Sequence, residues 1–233
     1  ATHAILGLLY QPERWPEWRI EAYHKHWEHV SPYFDNVLDT IALDRELAPD
    51  WMRIAPRAAN AHGLEVSLRQ SYGESLGLWG SFAWSRATDE FPGGDVPRAW
   101  DQPHAFNAGL SWTRTRYAVS TVLSYHSGWP RTTLLASGGA QGIAALQLGA
   151  RDGARWSRYL SLDLRASWTQ PLSASELRLW ADVTNATNHG NPCCVDLQTG
   201  MPLMTDGVAA APQRQVGYWL SRVANIGITW RLH

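Results

Sequence analysis

The stretch ANIGITWRLH, residues 224–233, decides the fold of this chain. Its alternate residues fall into an apolar set and a polar set, Ala224, Ile226, Ile228, Trp230 and Leu232 against Asn225, Gly227, Thr229, Arg231 and His233. Because successive side chains of an extended strand point to opposite faces, this pattern predicts a β-strand with one apolar and one polar face.

The same period of two recurs along most of the chain, and no segment shows a sustained apolar stripe at helical spacing. It marks segments at about residues 6–10, 18–25, 63–69, 78–86, 106–113, 117–125, 160–168, 176–183 and 224–233. We therefore predict an all-β fold of about nine strands, each near the roughly 9–11 residues that a tilted strand needs to cross a bilayer.

The connections between the predicted strands alternate between short and long. The short ones lie at residues 11–16, 73–77, 113–116 and 171–175, and the long ones at about 31–62, 91–103, 129–157 and 188–220. A soluble sandwich also has alternating strands, but structureless loops of this length are unusual in compact domains. Bacterial outer-membrane barrels have this asymmetry, with tight periplasmic turns at one rim and long extracellular loops at the other.

Aromatic residues are numerous and lie near the predicted strand ends. The chain contains 14 Trp, and rings of Trp and Tyr at both interfaces accompany the lipid-facing band of a membrane barrel. The residues near strand ends are Trp15, Trp18, Trp84, Trp112, Tyr117, Tyr125, Trp129, Tyr159, Trp168, Trp219 and Trp230. A soluble sandwich with a Trp-rich core is the alternative that these residues leave open.

Charged residues in the middle of the predicted strands share the face opposite the apolar one. They are Glu21, Glu65, Arg69, Asp163, Arg165, Arg178, Asp182 and Arg231. An Arg on the lipid side at mid-bilayer would cost about 2–4 kcal/mol, so in a barrel these side chains face the lumen. We expect a lumen that is wet or filled by another polar domain.

The overall composition argues against other classes of protein. The longest apolar runs are well short of the roughly 20 residues of a membrane helix. The formal net charge is −1 and the Arg residues are scattered singly, so we expect no nucleic-acid partner. No secretory signal opens the chain and residue 1 is Ala, and single-chain bacterial barrels use even strand numbers, so we expect a fragment.

Cys193 and Cys194 are adjacent in the last long loop. An exported location is oxidising and favours a disulfide, although neighbouring Cα atoms lie about 3.8 Å apart, below the usual range for a disulfide. Two Cys are too few for a zinc site, which takes four ligands. We interpret the pair as a structural feature of the loop, disulfide-bonded or free, with ligand or metal contact as the alternative.

Two further groups have residue types that carry chemistry. His24 and His26 project to one face of a predicted strand, a spacing that fits either a metal site or interface histidines. Ser124, His126 and Asp163 are the residue types of a hydrolase triad, but no G-x-S-x-G elbow accompanies them. We therefore predict no catalysis, no metal site and no cofactor, with a membrane lipase or protease as the alternative.

Six stretches carry motifs in a characteristic order and spacing. They are GLEVSLRQ at 63–70, GSFAWSRATDE at 80–90, WDQPHAFNAGLSW at 100–112, YHSGWP at 125–130, YLSLDLRASW at 159–168 and LWADVTNATNHGNP at 179–192. Together they resemble consecutive parts of the barrel of TonB-dependent outer-membrane receptors, over essentially the whole chain. No stretch resembles the plug domain of that family or its short TonB-contacting box.

The resemblance implies that residues 1–233 form the carboxy-terminal part of a receptor β-barrel, an antiparallel up-and-down transmembrane segment of a larger barrel without its plug domain. It implies a location in the bacterial outer membrane and TonB-dependent uptake of a scarce nutrient, such as an iron-siderophore complex or cobalamin. The implied partners are outer-membrane lipid, the plug domain, the missing barrel strands, the TonB complex through the missing amino-terminal part, and a small-molecule or metal-chelate substrate. The alternative is a self-contained small outer-membrane barrel that acts as a porin or adhesin.

The resemblance also places ligand contacts in the long loops and the upper lumen wall. Exposed aromatic residues and Arg are typical anchors of recognition. The candidate ligand-binding residues are Trp51, Arg53, Trp100, Trp129, Arg131 and Trp156.

Overall fold

The computed structural model describes residues 1–13, 16–39, 44–48, 50–138, 144–197 and 214–232. Trp15 and His233, which the sequence assigns to a strand end and to the last strand, lie outside these residues. The described part is almost entirely extended, with a single turn of 3-10 helix at Arg45–Leu47. It contains no helix with the length and apolar character needed to cross a membrane.

The strands in chain order are β1 (Thr2–Tyr10), β2 (Glu17–Glu28), β3 (Tyr33–Asn36), β4 (Trp51–Ile54), β5 (Ala58–Tyr72), β6 (Leu76–Phe91), β7 (Gly94–Pro97), β8 (His104–Arg114), β9 (Tyr117–His126), β10 (Pro130–Arg131), β11 (Leu134–Gly138), β12 (Ala144–Leu148), β13 (Ala154–Arg155), β14 (Tyr159–Leu172), β15 (Ser175–Thr184), β16 (Pro192–Leu197), β17 (Arg214–Tyr218) and β18 (Val223–Leu232).

Nine of these strands form one antiparallel sheet in the order β1-β2-β5-β6-β8-β9-β14-β15-β18, which we call the wall. Each wall strand pairs with the next one along the chain, so the predicted up-and-down arrangement of about nine strands is confirmed. The short strand β7 adds to β6. Within the described residues the sheet is not closed, because β1 and β18 each pair on one side only.

The wall has an apolar face and a polar face, as the alternation predicts. On the apolar face, Leu64 of β5 pairs with Ala22 of β2 and Trp84 of β6, and both Leu64 and Trp84 are exposed. On the polar face, Arg165 of β14 lies directly opposite Asp182 of β15. Among the described residues, the large apolar side chains of the wall therefore lie on one face and form no buried core.

Two Trp residues of the polar face lie over glycines of the adjacent strand. Trp79 of β6 pairs with Gly109 of β8, and a Cβ at Gly109 would lie 2.3 Å from the Trp79 indole nitrogen. Trp180 of β15 pairs with Gly227 of β18, and a Cβ there would lie 2.3 Å from the Trp180 ring. Glycine leaves room for each indole to rest on the strand backbone, a close approach that a side chain would prevent.

The connections follow the predicted asymmetry. Short turns join β1 to β2, β5 to β6, β8 to β9 and β14 to β15, and define the short-turn end of the wall. The long connections leave the opposite edge, the long-loop end, and they are not structureless. They contain four separate two-stranded sheets, β3-β4, β10-β13, β11-β12 and β16-β17.

Several wall strands exceed the predicted length at the long-loop end. β5 starts at Ala58, inside the predicted loop 31–62, and β6 continues to Phe91, past the predicted end at residue 86. The extra residues pair with each other, Ala58 opposite Glu90 and Ala59 opposite Asp89. Apolar and polar residues no longer alternate strictly in this part of the two strands. Side chains here contact the long connections, as Asp89 contacts Tyr33.

A compact core lies at the long-loop end and not within the wall. Val37, Leu38 and Ile54 are buried together, and Tyr33 and Phe91 pack against them. Most of the buried polar side chains in the described residues lie at the same end, among them Asn36, Asp50, Asp89, Asp101, Asp152, Asn185 and Asn191. The chain therefore combines an open wall with a small folded cap built from its long connections.

Candidate ligand-binding site

Three Trp residues from three different connections meet at the long-loop end. The Trp129 ring centroid lies 4.9 Å from that of Trp100 and 6.0 Å from that of Trp219, both in edge contact. His126 lies 4.7 Å from Trp129 and also stacks on Tyr159 at 4.7 Å. We call these five residues the indole cluster. Its two exposed members, Trp100 and Trp219, offer ring surface suited to a flat or aromatic ligand.

An ion pair with a buried carboxylate holds Trp100 in the indole cluster. Asp101, directly after Trp100, forms an ion pair with Arg155 of β13. Arg155 also donates to the backbone oxygens of Asp101, at 2.9 Å, and Gly128, at 3.1 Å. The Asp101 carboxylate accepts a further bond of 2.6 Å from the Ala87 amide. Because one guanidinium bridges two connections, the segments that carry Trp100 and Trp129 are fixed to each other.

Arg131 lies on β10 and Trp156 directly follows β13, the strand that pairs with β10, next to the indole cluster. The Trp156 amide donates to the Trp129 oxygen at 3.0 Å. The chain passes so close there that a Cβ at Gly128 would lie 1.8 Å from the Trp156 oxygen, so only glycine fits. The Arg131 guanidinium lies 4.6 Å from the Trp156 ring centroid, a cation–π contact.

Some donors in this region have no partner in the described residues. The Trp129 indole N–H and the Arg131 Nε–H are buried without a hydrogen bond. Unsatisfied buried donors are rare because each loses its bonds to water. These two groups are the donors that an acceptor atom of a bound molecule would satisfy.

Asparagine side chains organise the chain around Trp219. The Asn191 side chain exchanges two hydrogen bonds with the Leu160 backbone, at 2.8 and 2.9 Å, and the Asn191 backbone oxygen accepts from the Trp219 amide at 2.9 Å. Asn185 donates to the Leu220 oxygen at 3.3 Å and adopts a φ of 49°, which asparagine tolerates well. The stretch DVTNATNHGNP at residues 182–192 therefore orders this part of the long-loop end and places Trp219 against Trp129.

A second cluster ties three connections to the buried carboxylate of Asp89, which is 0% exposed. The Tyr33 hydroxyl donates to it at 2.7 Å, Arg98 approaches to 3.1 Å, and Arg151 approaches to 3.4 Å. Tyr33 precedes the 3-10 helix, Arg98 follows β7, and Arg151 lies between β12 and β13. We call these four residues and Asp152 the Asp89 cluster.

Burial shifts the pKa of two members of the Asp89 cluster. Burial, together with the hydrogen bond to the Asp89 carboxylate, raises the pKa of Tyr33 to about 12. Burial also raises the pKa of Asp152 to about 6, although Arg151 at 3.2 Å opposes the change. Tyr33 therefore acts as a permanent donor, and Asp152 changes charge under mildly acidic conditions.

The structure brings together four of the six predicted ligand-binding residues and gives the other two different neighbours. Trp100, Trp129, Arg131 and Trp156 form one connected region. Trp51 of β4 instead stacks on Phe34 of β3 at 5.6 Å, and Arg53 lies opposite Phe34 in the same hairpin. The sequence did not predict ligand contacts for Trp219, His126, Tyr159 or Arg155, because their contacts depend on how separate connections fold together.

Cys193 and Cys194 are joined by a disulfide and are both buried. The pairing of β16 with β17 shifts register between Pro192 and Cys194, and Gly217 lies opposite Cys194. A Cβ at Gly217 would lie 2.5 Å from the Cys194 Sγ and 3.3 Å from the Cys193 Sγ. The bulge and the glycine together make room for both sulfur atoms on one side of the hairpin.

The other chemical groups noted in the sequence have structural partners. His26 bonds to Asn60 at 2.6 Å and His24 stacks on His62, and no group of three metal-binding side chains exists among the described residues. The His126 ring nitrogen bonds to the Ser127 oxygen at 2.8 Å, whereas Asp163 accepts from Ser161 at 2.7 Å. Ser124, His126 and Asp163 thus do not form a hydrogen-bonded triad.

No protein-family model and no curated protein matches the sequence. Among solved structures, the chain is similar to the ferripyoverdine receptor of the outer membrane of Pseudomonas aeruginosa, bound to ferripyoverdine. The similarity covers 99% of this chain with a TM-score of 0.56 and 12% sequence identity. The chain has the fold of part of an outer-membrane receptor.

This similarity confirms, at the level of the fold, the resemblance to receptor barrels that the sequence motifs indicated. The chain spans 26% of the length of that receptor, which agrees with a segment of a larger barrel. The neighbour is a receptor and not an enzyme. At this level of identity the likeness concerns the path of the backbone, and the side chains of this chain determine its own ligand.

Proposed function

We propose that this chain is a wall segment of a TonB-dependent receptor in the bacterial outer membrane, and that its long-loop end binds the nutrient that the receptor takes up. One observation carries the proposal. The wall leaves its apolar face uncovered along nine strands and directs the charges in the middle of its strands to the other face, as strands between lipid and a hydrated lumen require. The fold of the ferripyoverdine receptor supports it.

The proposed ligand site consists of the indole cluster with Arg131 and Trp156. The aromatic rings, the unsatisfied Trp129 N–H and the Arg131 guanidinium with its unsatisfied Nε–H fit a small molecule or metal chelate that has aromatic parts and acceptor oxygens. A siderophore carrying iron has this chemistry, and cobalamin is the second substrate class that we consider. Trp51 and Arg53 on the β3-β4 hairpin are a separate contact region for the same ligand.

The proposed partners follow from this role. Membrane lipid covers the apolar face, further barrel strands pair with the open edges of β1 and β18, and a plug domain occupies the space beside the polar face. Energy for uptake comes from the TonB complex, through a part of the receptor other than residues 1–233. The chain itself supplies no catalysis and needs no cofactor.

A self-contained porin or adhesin is the competing proposal. It requires the nine strands to close on themselves, whereas β1 and β18 do not pair with each other among the described residues. An unpaired strand edge within lipid leaves backbone groups unsatisfied at a cost of several kcal/mol. Channel conductance by the purified chain alone in planar bilayers would support the competing proposal.

Uptake of iron tests the receptor proposal directly. The whole receptor is expressed in iron-starved cells, and entry of labelled iron is measured with ferric hydroxamate, ferric catecholate and ferric hydroxycarboxylate chelates, and separately with cyanocobalamin. We expect uptake of one of these probes that requires the TonB complex and falls at least about tenfold in Trp129→Ala, since buried aromatic anchors dominate binding. Trp230→Ala, on the apolar face of β18, is the matched control. Absence of uptake for every probe, or equal uptake by both variants, contradicts the proposal.

A further inference from the structure

The apolar face of the wall contains a groove near the short-turn end, on strands β8, β9, β14 and β15. Its volume is about 520 Å³, and its lining contains no charged residue. The side chains that form it are Trp112, Tyr117, Val119, Ala166, Trp168 and Leu179. The groove is open to the outside of the wall, on the face that the proposed function assigns to lipid.

The strand register explains why a groove forms at this place. Trp112, Val119, Ala166 and Ala181 lie side by side in one row across the four strands. The small side chains of the two alanines leave a low area in the surface of β14 and β15. In the next row toward the short-turn end, Trp168 lies between Tyr117 and Leu179, so large side chains border the low area on that side.

One arginine lies at the end of the groove nearest the short turns. Arg114 belongs to the apolar face, because it pairs with Tyr117, and it is two residues beyond Trp112 on the same face of β8. The next arginine, Arg116, lies opposite Thr169, whose amide donates to the Arg116 oxygen at 2.7 Å, so Arg116 continues the polar face. Arg114 is exposed, and in the part of the chain that the structure describes it forms no ion pair with a carboxylate.

We propose that this groove and Arg114 bind one anionic phospholipid of the membrane leaflet at the short-turn end. An acyl chain lies in the groove on Ala166 and Ala181, and the lipid phosphate accepts hydrogen bonds from the Arg114 guanidinium. The order of apolar floor, aromatic ring and arginine matches the order of acyl chain, interface and headgroup in a bilayer. Guanidinium groups bind phosphate oxygens in paired hydrogen bonds. The cationic part of a zwitterionic headgroup weakens the attraction of the phosphate for an arginine, whereas an anionic headgroup has no such group. This inference rests on the proposed location of the wall in a membrane.

The test for headgroup recognition uses the whole receptor in lipid nanodiscs. One set of discs contains phosphatidylcholine with brominated phosphatidylglycerol, and the other contains phosphatidylcholine with brominated phosphatidylcholine. The readout is the quenching of Trp112 and Trp168 fluorescence by bromine. Subtracting the signal of Trp112→Phe/Trp168→Phe from that of the parent protein isolates these two residues. We expect preferential quenching by phosphatidylglycerol. Arg114→Gln should reduce the preference by roughly fivefold. Arg158→Gln, an exposed arginine at the long-loop end, should keep it.

A second pair of variants tests the groove itself. Ala166→Phe fills the low area, so we expect it to reduce retention of phosphatidylglycerol in native mass spectrometry of the receptor released from the discs. Ala22→Phe adds the same ring to an exposed site on the apolar face outside the groove and should leave retention unchanged.

The outcomes separate this inference from the proposed function. A receptor that inserts into discs but shows no phosphatidylglycerol preference, or whose preference survives Arg114→Gln, overturns the lipid site and leaves the receptor proposal standing. A protein that does not enter the discs overturns both. Equal loss of retention in Ala166→Phe and Ala22→Phe would show general contact with lipid and no defined site.

Discussion

Leu64 in the wall and Leu38 at the long-loop end carry the same side chain in opposite surroundings, 39% exposed in one case and 7% in the other. Wall strands are held by continuous backbone ladders such as that of β5 with β6, while their apolar side chains point outward. The long-loop end buries apolar and polar side chains together, as a small soluble protein does. The surrounding solvent differs between the two regions, and each region places its apolar residues accordingly.

The largest effect that we predict comes from removing the carboxylate of the Asp89 cluster. Asp89→Ala leaves Arg98, Arg151 and the Tyr33 hydroxyl without their shared partner, and we expect a loss of about 3–5 kcal/mol in the stability of the long-loop end. Amide hydrogen exchange should accelerate in β3, β4 and β7 but not in the middle of the wall. Asp95→Ala, an exposed Asp on β7, is the control. Uniform acceleration across both regions would contradict their separation.

Within the wall, the largest effect should come from a glycine under an indole. Gly109→Val forces Trp79 away from the backbone of β8, and we expect a loss of about 1–3 kcal/mol in the free energy of unfolding, as for other overpacked sites. Gly80→Val is a matched control on the neighbouring strand, because its Cβ would meet nothing closer than 3.7 Å. Urea unfolding in detergent, followed by Trp fluorescence, measures both. Equal losses in the two variants would show that any β-branched side chain disturbs the sheet.

The pH dependence of the long-loop end should follow Asp152. Burial raises the pKa of Asp152 from 3.8 to about 6, so between these values the folded state holds a proton that the unfolded state has released. Stability of this end therefore falls as the pH rises from about 4 to 6, by roughly 1–3 kcal/mol at about 1.4 kcal/mol per pKa unit. Hydrogen exchange of β10 and β13, corrected for the intrinsic pH effect, measures the change. Asp152→Asn should flatten the profile, and an unchanged slope in that variant would assign the effect to another group.

The sequence predicts the wall far better than the long-loop end, for a physical reason. A period of two is a local pattern, and the strand at 224–233 shows it without reference to any other part of the chain. Arg155 and Asp101 are 54 residues apart, and nothing local indicates that they form an ion pair. Trp100 and Trp129 were predicted as ligand contacts from residue type, but their contact with each other depends on that distant pair. The ends of β5 and β6 were missed because pairing continues there after the apolar alternation stops.

The smallest predicted effect concerns Glu90, the neighbour of Asp89 on β6. The Arg57–Glu90 ion pair has a separation of 3.0 Å, almost the same as the 3.1 Å between Arg98 and Asp89. Successive residues of a strand point to opposite sides, so Asp89 is buried while the Arg57 and Glu90 side chains are 63% and 38% exposed. We expect Arg57→Gln to cost about 0.2–1 kcal/mol, and less at high salt, because water and ions screen the pair.

Arg57→Gln and Asp89→Ala therefore compare two ion pairs that share a strand and a distance and differ in burial. If hydrogen exchange in β3 and β4 responds equally to both substitutions, distance alone would set the strength of these contacts. If only Asp89→Ala changes the exchange rates, the burial of that carboxylate accounts for the stability of the long-loop end. The same measurement in 1 M salt, where the Debye length falls to about 3 Å, should erase the small effect of Arg57→Gln and preserve the large one.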